Sequence, residues 1–292
     1  MLTPLRERDT LDHAGLERLI EHHLAGGVSG LFILGTTGEG PSLSYRLRRE
    51  LIERTCKQVA GRVPVLVGIT DTSFTESVEL ARFSVQHGVH SVVAATPYYF
   101  PAGQAELVEY LEDLVRELPL PLFLYNMPAL TKVSFELDTI RAAQQWEKVI
   151  GIKDSSCDMI YFHKLLRVTR ERPDWSVLVG PEELTAEAVL LGANGGVNGG
   201  ANLHPRLYVD LYNAAALQDL VKVRQLQAQV MDLAGRIYTV GRHKSALIKG
   251  LKCARSLLGI CDDCMAEPFH KFREPERAQI REHLIALGLL PS

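Results

Sequence analysis

Val149-Ile150-Gly151-Ile152-Lys153-Asp154 is a short apolar run that ends in a lysine. A strand apolar on both faces is what a parallel sheet covered by helices demands, and an ordinary surface lysine does not belong at its end. Two readings of Lys153 are open. Its methylene stem can pass the strand end and keep the ammonium in water, as most lysines do. Alternatively the amine is held partly desolvated and attacks a ketone as a neutral nucleophile. A free lysine titrates near about 10.4, and burial can lower that by up to about 3–5 units, so desolvation alone can supply the activation.

Outward from this run, short apolar strands alternate with helical segments. Upstream lie Leu31-Phe32-Ile33-Leu34, Val63-Pro64-Val65-Leu66-Val67-Gly68-Ile69, Ser91-Val92-Val93-Ala94-Ala95 and Leu122-Phe123-Leu124-Tyr125. Downstream lie Ser176-Val177-Leu178-Val179-Gly180 and Gly195-Gly196-Val197. Between them the spacing predicts helices near 42–59 and 104–116, a helix opened by a Ser73-Phe74-Thr75-Glu76 capping box, and a first helix capped by Asp12 or Thr10 and stopped at Gly26-Gly27. Repeated strand–helix units without a long hydrophilic break call for an α/β fold, a closed (β/α)8 TIM barrel rather than a doubly wound sheet. Only Met1-Leu2-Thr3-Pro4 is available for a first strand, which is therefore very short or begins upstream of Met1. After Asn202 helical patterns take over, near 204–216, 217–234, 243–258 and 274–287. The first completes the barrel. The expected division is a barrel over 1–216 that carries the active site and a C-terminal three-helix extension over 217–292.

The polar residues fall at the strand ends. Thr36 and Thr37, Tyr98 and Tyr99, Tyr125 and Asn126, and Lys153 each follow an apolar strand, and in a parallel barrel those ends share one rim, where such enzymes place their chemistry. Singly, a Gly-Thr-Thr-Gly turn, a strand exit before proline and a tyrosine pair are ordinary structural features. Three of them converging on a strand-end lysine are not.

Composition agrees with a small-molecule role. Lys and Arg number 32 against 35 Asp and Glu, so the chain has no basic field for nucleic acid or an anionic membrane. No apolar run approaches the roughly 20 residues of a membrane span, and the N-terminus lacks a signal-like apolar region. Five cysteines, an odd number and widely spread, fit reduced thiols in a cytoplasmic protein. Cys261-Asp262-Asp263-Cys264 is a lone CxxC, and His13, His22 and His23 have no partner at metal spacing, so no metal site is expected.

Gly35-Thr36-Thr37-Gly38-Glu39, Thr96-Pro97-Tyr98-Tyr99, Tyr125-Asn126-Met127-Pro128 and Gly151-Ile152-Lys153-Asp154 together resemble, in order and spacing, the signatures of the dihydrodipicolinate synthase/N-acetylneuraminate lyase family. The resemblance covers nearly the whole chain. It implies a (β/α)8 barrel with three C-terminal helices, a tetramer built from two tight dimers, and an imine between Lys153 and pyruvate. By the same resemblance Tyr125 is the proton-transfer phenol, with a relay through Thr36 and through Tyr99 from the neighbouring subunit. A relay is needed because a free phenol titrating near about 10 is a poor base. Thr36 and Thr37 match the pyruvate-carboxylate site, and Val197 the position whose backbone carbonyl approaches the keto acid. The chemistry requires no metal or organic cofactor.

Within the family the second substrate separates the branches. Synthases that use aspartate semialdehyde usually carry an arginine shortly after Tyr-Asn, and Leu130 stands at that place, without a bidentate carboxylate clamp. Pro128-Ala129-Leu130 and Gly180-Pro181-Glu182-Glu183 instead resemble the lyase branch, with Glu182 and Glu183 suited to sugar hydroxyls and Ser155 beside them. Helix-dipole complementation explains the two glutamates equally well. Asn198 and Gly199 depart from the lyase pattern, so a simpler 2-keto-3-deoxy sugar acid fits as well as N-acetylneuraminate. The expected partners are pyruvate and a small aldehyde or 2-keto acid, in a homotetramer. Two non-enzymatic readings stand beside this one: a phosphate-binding module built on Gly192–Gly200, whose spacing is not G-x-G-x-x-G, and an idle regulator on the same fold.

Overall fold

In the computed structural model, which describes residues 1–291, the chain forms two compact units. The first comprises residues 1–63 and 198 onward, the second Pro64–Val197.

The first unit opens with an antiparallel pair, β1 (Leu5–Glu7) and β2 (Thr10–Leu11), turned at Asp9, whose φ is 49°. The sequence gives little sign of this hairpin. Helix α1 (His13–Ala25) follows, then β3 (Leu31–Ile33) and α2 (Tyr45–Val59). The Asp12 side chain caps α1 by accepting from the Gly15 N–H, and Ser44 caps α2 through the Leu47 N–H. Met1–Pro4 is not a strand. Leu2–Pro4 is buried, and the segment is anchored by three hydrogen bonds instead: the Met1 ammonium donates to the Phe32 carbonyl, the Leu2 N–H to Asn202 Oδ1 at 2.8 Å, and the Thr3 hydroxyl to the Gly38 carbonyl at 2.6 Å.

The second unit runs β4 (Val65–Gly68), α3 (Phe74–Gln86), β5 (Ser91–Ala95), α4 (Gln104–Glu117), β6 (Leu122–Asn126), α5 (Pro128–Thr131), α6 (Leu137–Ala143), β7 (Val149–Asp154), α7 (Met159–Thr169), β8 (Ser176–Val179), α8 (Thr185–Leu190) and β9 (Gly195–Gly196). Its strands are parallel and pair in chain order from β4 to β9. All five residues of β5 and of β6 are buried, the double-sided burial that their unbroken apolar runs predict. The helices turn one face to that sheet; α4, for example, buries Leu107, Leu111, Leu114 and Val115 at helical spacing. Gly151 in β7 is required by close approach, since a Cβ there would meet the Ser176 carbonyl oxygen at 2.2 Å. Helices α5 and α6 lack a long periodic pattern: α5 is four residues begun at Pro128, and α6 buries only Thr139, Ile140 and Ala143.

The chain then returns to the first unit through α9 (Pro205–Ala216), α10 (Leu220–Ile237), α11 (Ala246–Leu257) and α12 (Glu274–Ala286). Helix α11 buries six consecutive residues, Gly250 to Arg255, so it is enclosed on all sides rather than laid on a surface. No described helix is long and apolar enough to cross a membrane.

Candidate active site

The C-terminal ends of consecutive strands in the second unit carry most of the residues singled out in the sequence. Registration pairs Ala95 with Tyr125, Tyr125 with Lys153, and Asp154 with Val179, so the exits of β5, β6, β7 and β8 stand side by side. Lys153 and Tyr125 project from neighbouring strands at one register level, and the Lys153 ammonium nitrogen lies 4.2 Å from the centroid of the Tyr125 ring. Both are buried, Lys153 at 9% and Tyr125 at 6% exposure. The Lys153 side chain therefore does not extend into open solvent as the first reading has it. A cation over a phenol face is attracted to the ring's negative face, more so when water is excluded.

The next residue on each strand locks this pair in place. Asn126 Nδ2 donates to Asp154 Oδ1 at 2.8 Å, and Asn126 Oδ1 accepts the Phe135 N–H at 3.1 Å. Asp154 also accepts from the Ser156 N–H at 3.2 Å and the Ser156 hydroxyl at 2.9 Å. Tyr161 from α7 donates to the Phe135 carbonyl at 2.8 Å, closing the loop after β6 onto the helix after β7. Since side chains alternate along a strand, Asn126 and Asp154 sit on the opposite face from Tyr125 and Lys153. The motifs quote both residues, but their pairing depends on strand register.

Burial pushes the Asp154 carboxyl above its ordinary range, against the lowering effect of its Asn126 and Ser156 hydrogen bonds. A carboxyl whose folded pKa exceeds its unfolded one costs the fold stability as pH rises from the ordinary carboxylate range through the raised value, and the cost is constant above it. Asp154→Asn keeps an acceptor for Asn126 and removes that cost. Its midpoint of unfolding at neutral pH should equal or exceed the parent's, with the difference growing across that acidic window. Asp154→Ala strands the buried Asn126 amide and should cost about 1–3 kcal/mol in chemical denaturation.

Ser155 is buried and its N–H donates to the Asn126 carbonyl at 2.8 Å. A Cβ on Gly180 would fall 1.9 Å from Ser155 Oγ, so the absence of a side chain at Gly180 makes room for that hydroxyl. The Gly180 N–H is bonded to the Asp154 carbonyl at 2.7 Å, and the Val197 N–H to the Val179 carbonyl at 2.8 Å. Glu182 and Glu183 begin a 3-10 turn at 182–184 that leads into α8. They differ: Glu182 is buried, whereas Glu183 is half-buried; burial pushes the Cys157 thiol up, and the Glu183 and Asp154 carboxylates add to that rise. Tyr99 is 75% exposed and Phe100 79%, their rings 5.1 Å apart and edge to face. Leu130, third residue of α5, is half exposed.

Thr36 and Thr37 lie in the first unit, in a turn that follows β3. The Glu39 N–H donates to the Thr36 carbonyl at 3.0 Å and the Gly40 N–H to the Gly35 carbonyl at 3.2 Å. Both threonines are half-buried. Glu39 is buried and left-handed, with φ of 55°, and is ion-paired to Lys252 of α11. Sequence reading did not single out this pair. Its one local sign is a lysine inside an otherwise small and apolar stretch, Leu251 to Ala254.

Comparison with known proteins bears on the family and the fold. The model of the dihydrodipicolinate synthetase family matches residues 1–287. A probable 2-dehydro-3-deoxy-D-pentonate aldolase of Escherichia coli is 32% identical over 97% of this chain and 93% of its own. A dihydrodipicolinate synthase structure from Bacteroides thetaiotaomicron is 57% identical, with a TM-score of 0.96, over 98% of this chain and 96% of that one. An Escherichia coli prophage protein of the same family, solved in complex with pyruvate, is 28% identical with a TM-score of 0.92, over 99% and 97%. The expected α/β TIM-barrel fold is the fold of these enzymes.

Proposed function

The chain belongs to the dihydrodipicolinate synthetase family and is an enzyme of its class I, pyruvate-dependent aldolase and lyase kind, and on that premise we propose that it reversibly cleaves a 2-keto-3-deoxy sugar acid to pyruvate and an aldehyde. The non-enzymatic readings fall away with that membership. The observation that carries the proposal is the buried Lys153 amine over the Tyr125 ring at the paired ends of β6 and β7.

In this reading the Lys153 amine adds to the C2 carbonyl of the keto acid and water leaves, forming an iminium. Tyr125 takes the proton of the C4 hydroxyl, the C3–C4 bond breaks, and its electron pair passes into the iminium as an enamine. The aldehyde departs. Protonation at C3 and hydrolysis then release pyruvate and the free lysine. Thr36, with Tyr99 contributed by a neighbouring copy, moves the proton to and from Tyr125; Thr36 and Thr37 hold the carboxylate; Val197 offers a backbone carbonyl to the bound acid. These roles rest on the family resemblance. The exposed Tyr99–Phe100 pair supports association between copies, which the proposed homotetramer requires, since two adjacent large aromatics left open in one copy suit a covered position between copies. The same proposal assigns 217–292 to an extension of a 1–216 barrel and puts the enzyme in the cytoplasm, where five unpaired thiols are at home.

For the second substrate, Leu130 in place of a guanidinium disfavours a short carboxylate-bearing aldehyde. Glu183, the more open of the two glutamates, with Ser155 and Glu182, suits a polyhydroxylated tail of pentonate length as readily as N-acetylneuraminate. The name of the Escherichia coli aldolase relative supports this choice. The synthase reading, condensation of pyruvate with aspartate semialdehyde, is favoured by the name of the 57% identical Bacteroides relative.

Aldehyde release across a panel of 2-keto-3-deoxy acids, run beside condensation with aspartate semialdehyde, decides between them. The sugar acids should be cleaved efficiently and the semialdehyde poorly used. Glu183→Ala should lower kcat/KM for the favoured acid by about 1–3 kcal/mol and Glu182→Ala by as much or less, with imine formation from pyruvate unchanged. Leu130→Arg should shift preference toward the semialdehyde. Efficient condensation by the parent, with both glutamate variants unaffected on every acid, would give the synthase reading its place.

A further inference from the structure

Glu39 closes the turn that carries Thr36 and Thr37, and its side chain is 3% exposed. Burying an isolated carboxylate costs several kcal/mol by typical estimates, so its partners decide where it sits. Lys252, with no exposed surface, sets its ammonium against Glu39 Oε1. Glu39 Oε2 accepts the Ala266 N–H at 2.8 Å, and Lys252 donates in turn to the Cys264 carbonyl at 2.7 Å. One side chain of the turn is thereby tied to α11 and to the 264–266 stretch. The Thr3 hydroxyl on the Gly38 carbonyl, at 2.6 Å, ties down the backbone one residue earlier.

Two consequences follow for an anion held by this turn. Hydroxyls and N–H groups bind a carboxylate well only when preorganised, and a small rotation of a short turn misaims them. A negative charge two residues beyond Thr37 would also repel an incoming carboxylate if it were not neutralised. An apolar pair of the same volume would hold the fold about as well as a buried ion pair does; what the ion pair adds is a defined geometry and a cancelled charge.

We propose that the Lys252–Glu39 pair is a positioning device for substrate-carboxylate binding: it fixes the aim of the Thr36–Thr37 turn and cancels the negative charge behind it. The inference rests on the reading of that turn as the carboxylate site of an imine-forming enzyme. Neither residue touches substrate; both act through the threonines.

The test uses pyruvate alone, so it does not depend on the unknown aldehyde. Borohydride trapping followed by intact mass gives the pyruvate concentration for half-maximal adduct, and thermal unfolding reports whether each variant is folded. Lys252→Met leaves Glu39 charged and unpaired. Glu39→Gln/Lys252→Met removes both charges at nearly constant volume and retains an acceptor for the Ala266 N–H. The double variant should fold with a midpoint near the parent's and yet require about tenfold more pyruvate, and the single variant should be less stable and require more still. Asp263→Asn is the control. Asp263 is also buried and ion-paired, to Lys271 at 3.1 Å and Arg277 at 2.6 Å, in the same stretch but with no bond to the turn. It should lower the midpoint and leave pyruvate saturation unchanged.

If the parent forms an adduct and the folded double variant saturates at the parental pyruvate concentration, the positioning role is overturned while the imine reading stands. A rise in the Asp263→Asn control as large as that in the double variant overturns it as well, by showing general loosening. No adduct on the parent at any pyruvate concentration overturns both.

Discussion

Replacement of Lys153 by alanine is expected to lower turnover by at least about four orders of magnitude, or about 5.4 kcal/mol of transition-state stabilisation, because the variant has no amine with which to make the iminium on which bond cleavage depends. The fold should survive. Lys153 ends a strand whose neighbours are set by backbone pairing and by the Asn126–Asp154 bond on the opposite face, neither of which involves its side chain. In the parent, borohydride added with pyruvate should leave a reduced three-carbon adduct on the peptide that contains Lys153 and inactivate the enzyme in proportion to labelling. Full activity in Lys153→Ala, or an unlabelled Lys153 peptide after complete inactivation, would remove the imine from the mechanism.

Tyr125→Phe is expected to lower kcat by about 10²–10⁴, the usual range for a lost general acid–base group. Phenylalanine keeps the aromatic face, 4.2 Å from the lysine nitrogen in the parent, and most of the packing of a residue only 6% exposed. What it removes is the hydroxyl. Half-saturation by pyruvate in the trapping experiment should therefore stay within about threefold of the parent while turnover collapses. A variant that only raises the Michaelis constant would make Tyr125 a binding residue and leave the proton to another group.

Both expectations come from residues visible in the sequence, and the reason is local. Ser91–Ala95 and Val149–Asp154 were legible to the residue because their apolar runs are unbroken and bounded by polar exits, the pattern of a strand covered on both faces. Ser73 and Asp12 announced their helices because a cap is a bond between a side chain and a backbone N–H a few positions away. Lys153, Tyr125 and the threonines stood out because each follows such a strand. Helices α5 and α6 were not legible: too short for a period to emerge, they are held by packing and by Asn126 acting on the loop before α6.

The sequence by itself therefore determined the alternation of strands and helices and the family, and it singled out Lys153 and Tyr125 as the proposed nucleophile and phenol. Tertiary structure alone decided how the remainder is held. It seated Met1–Pro4 through Phe32, Asn202 and Gly38 rather than in a ladder, and made Asn126 and Asp154 partners through a register that no local pattern states. It also brought Ala266 to a carboxylate 227 residues earlier, with Lys252 against the same group. Periodicity and capping are written into neighbouring residues, whereas an ion pair between distant segments follows only from the path of the chain, so a buried glutamate at the end of a familiar motif reads as a turn residue until the fold places a lysine behind it.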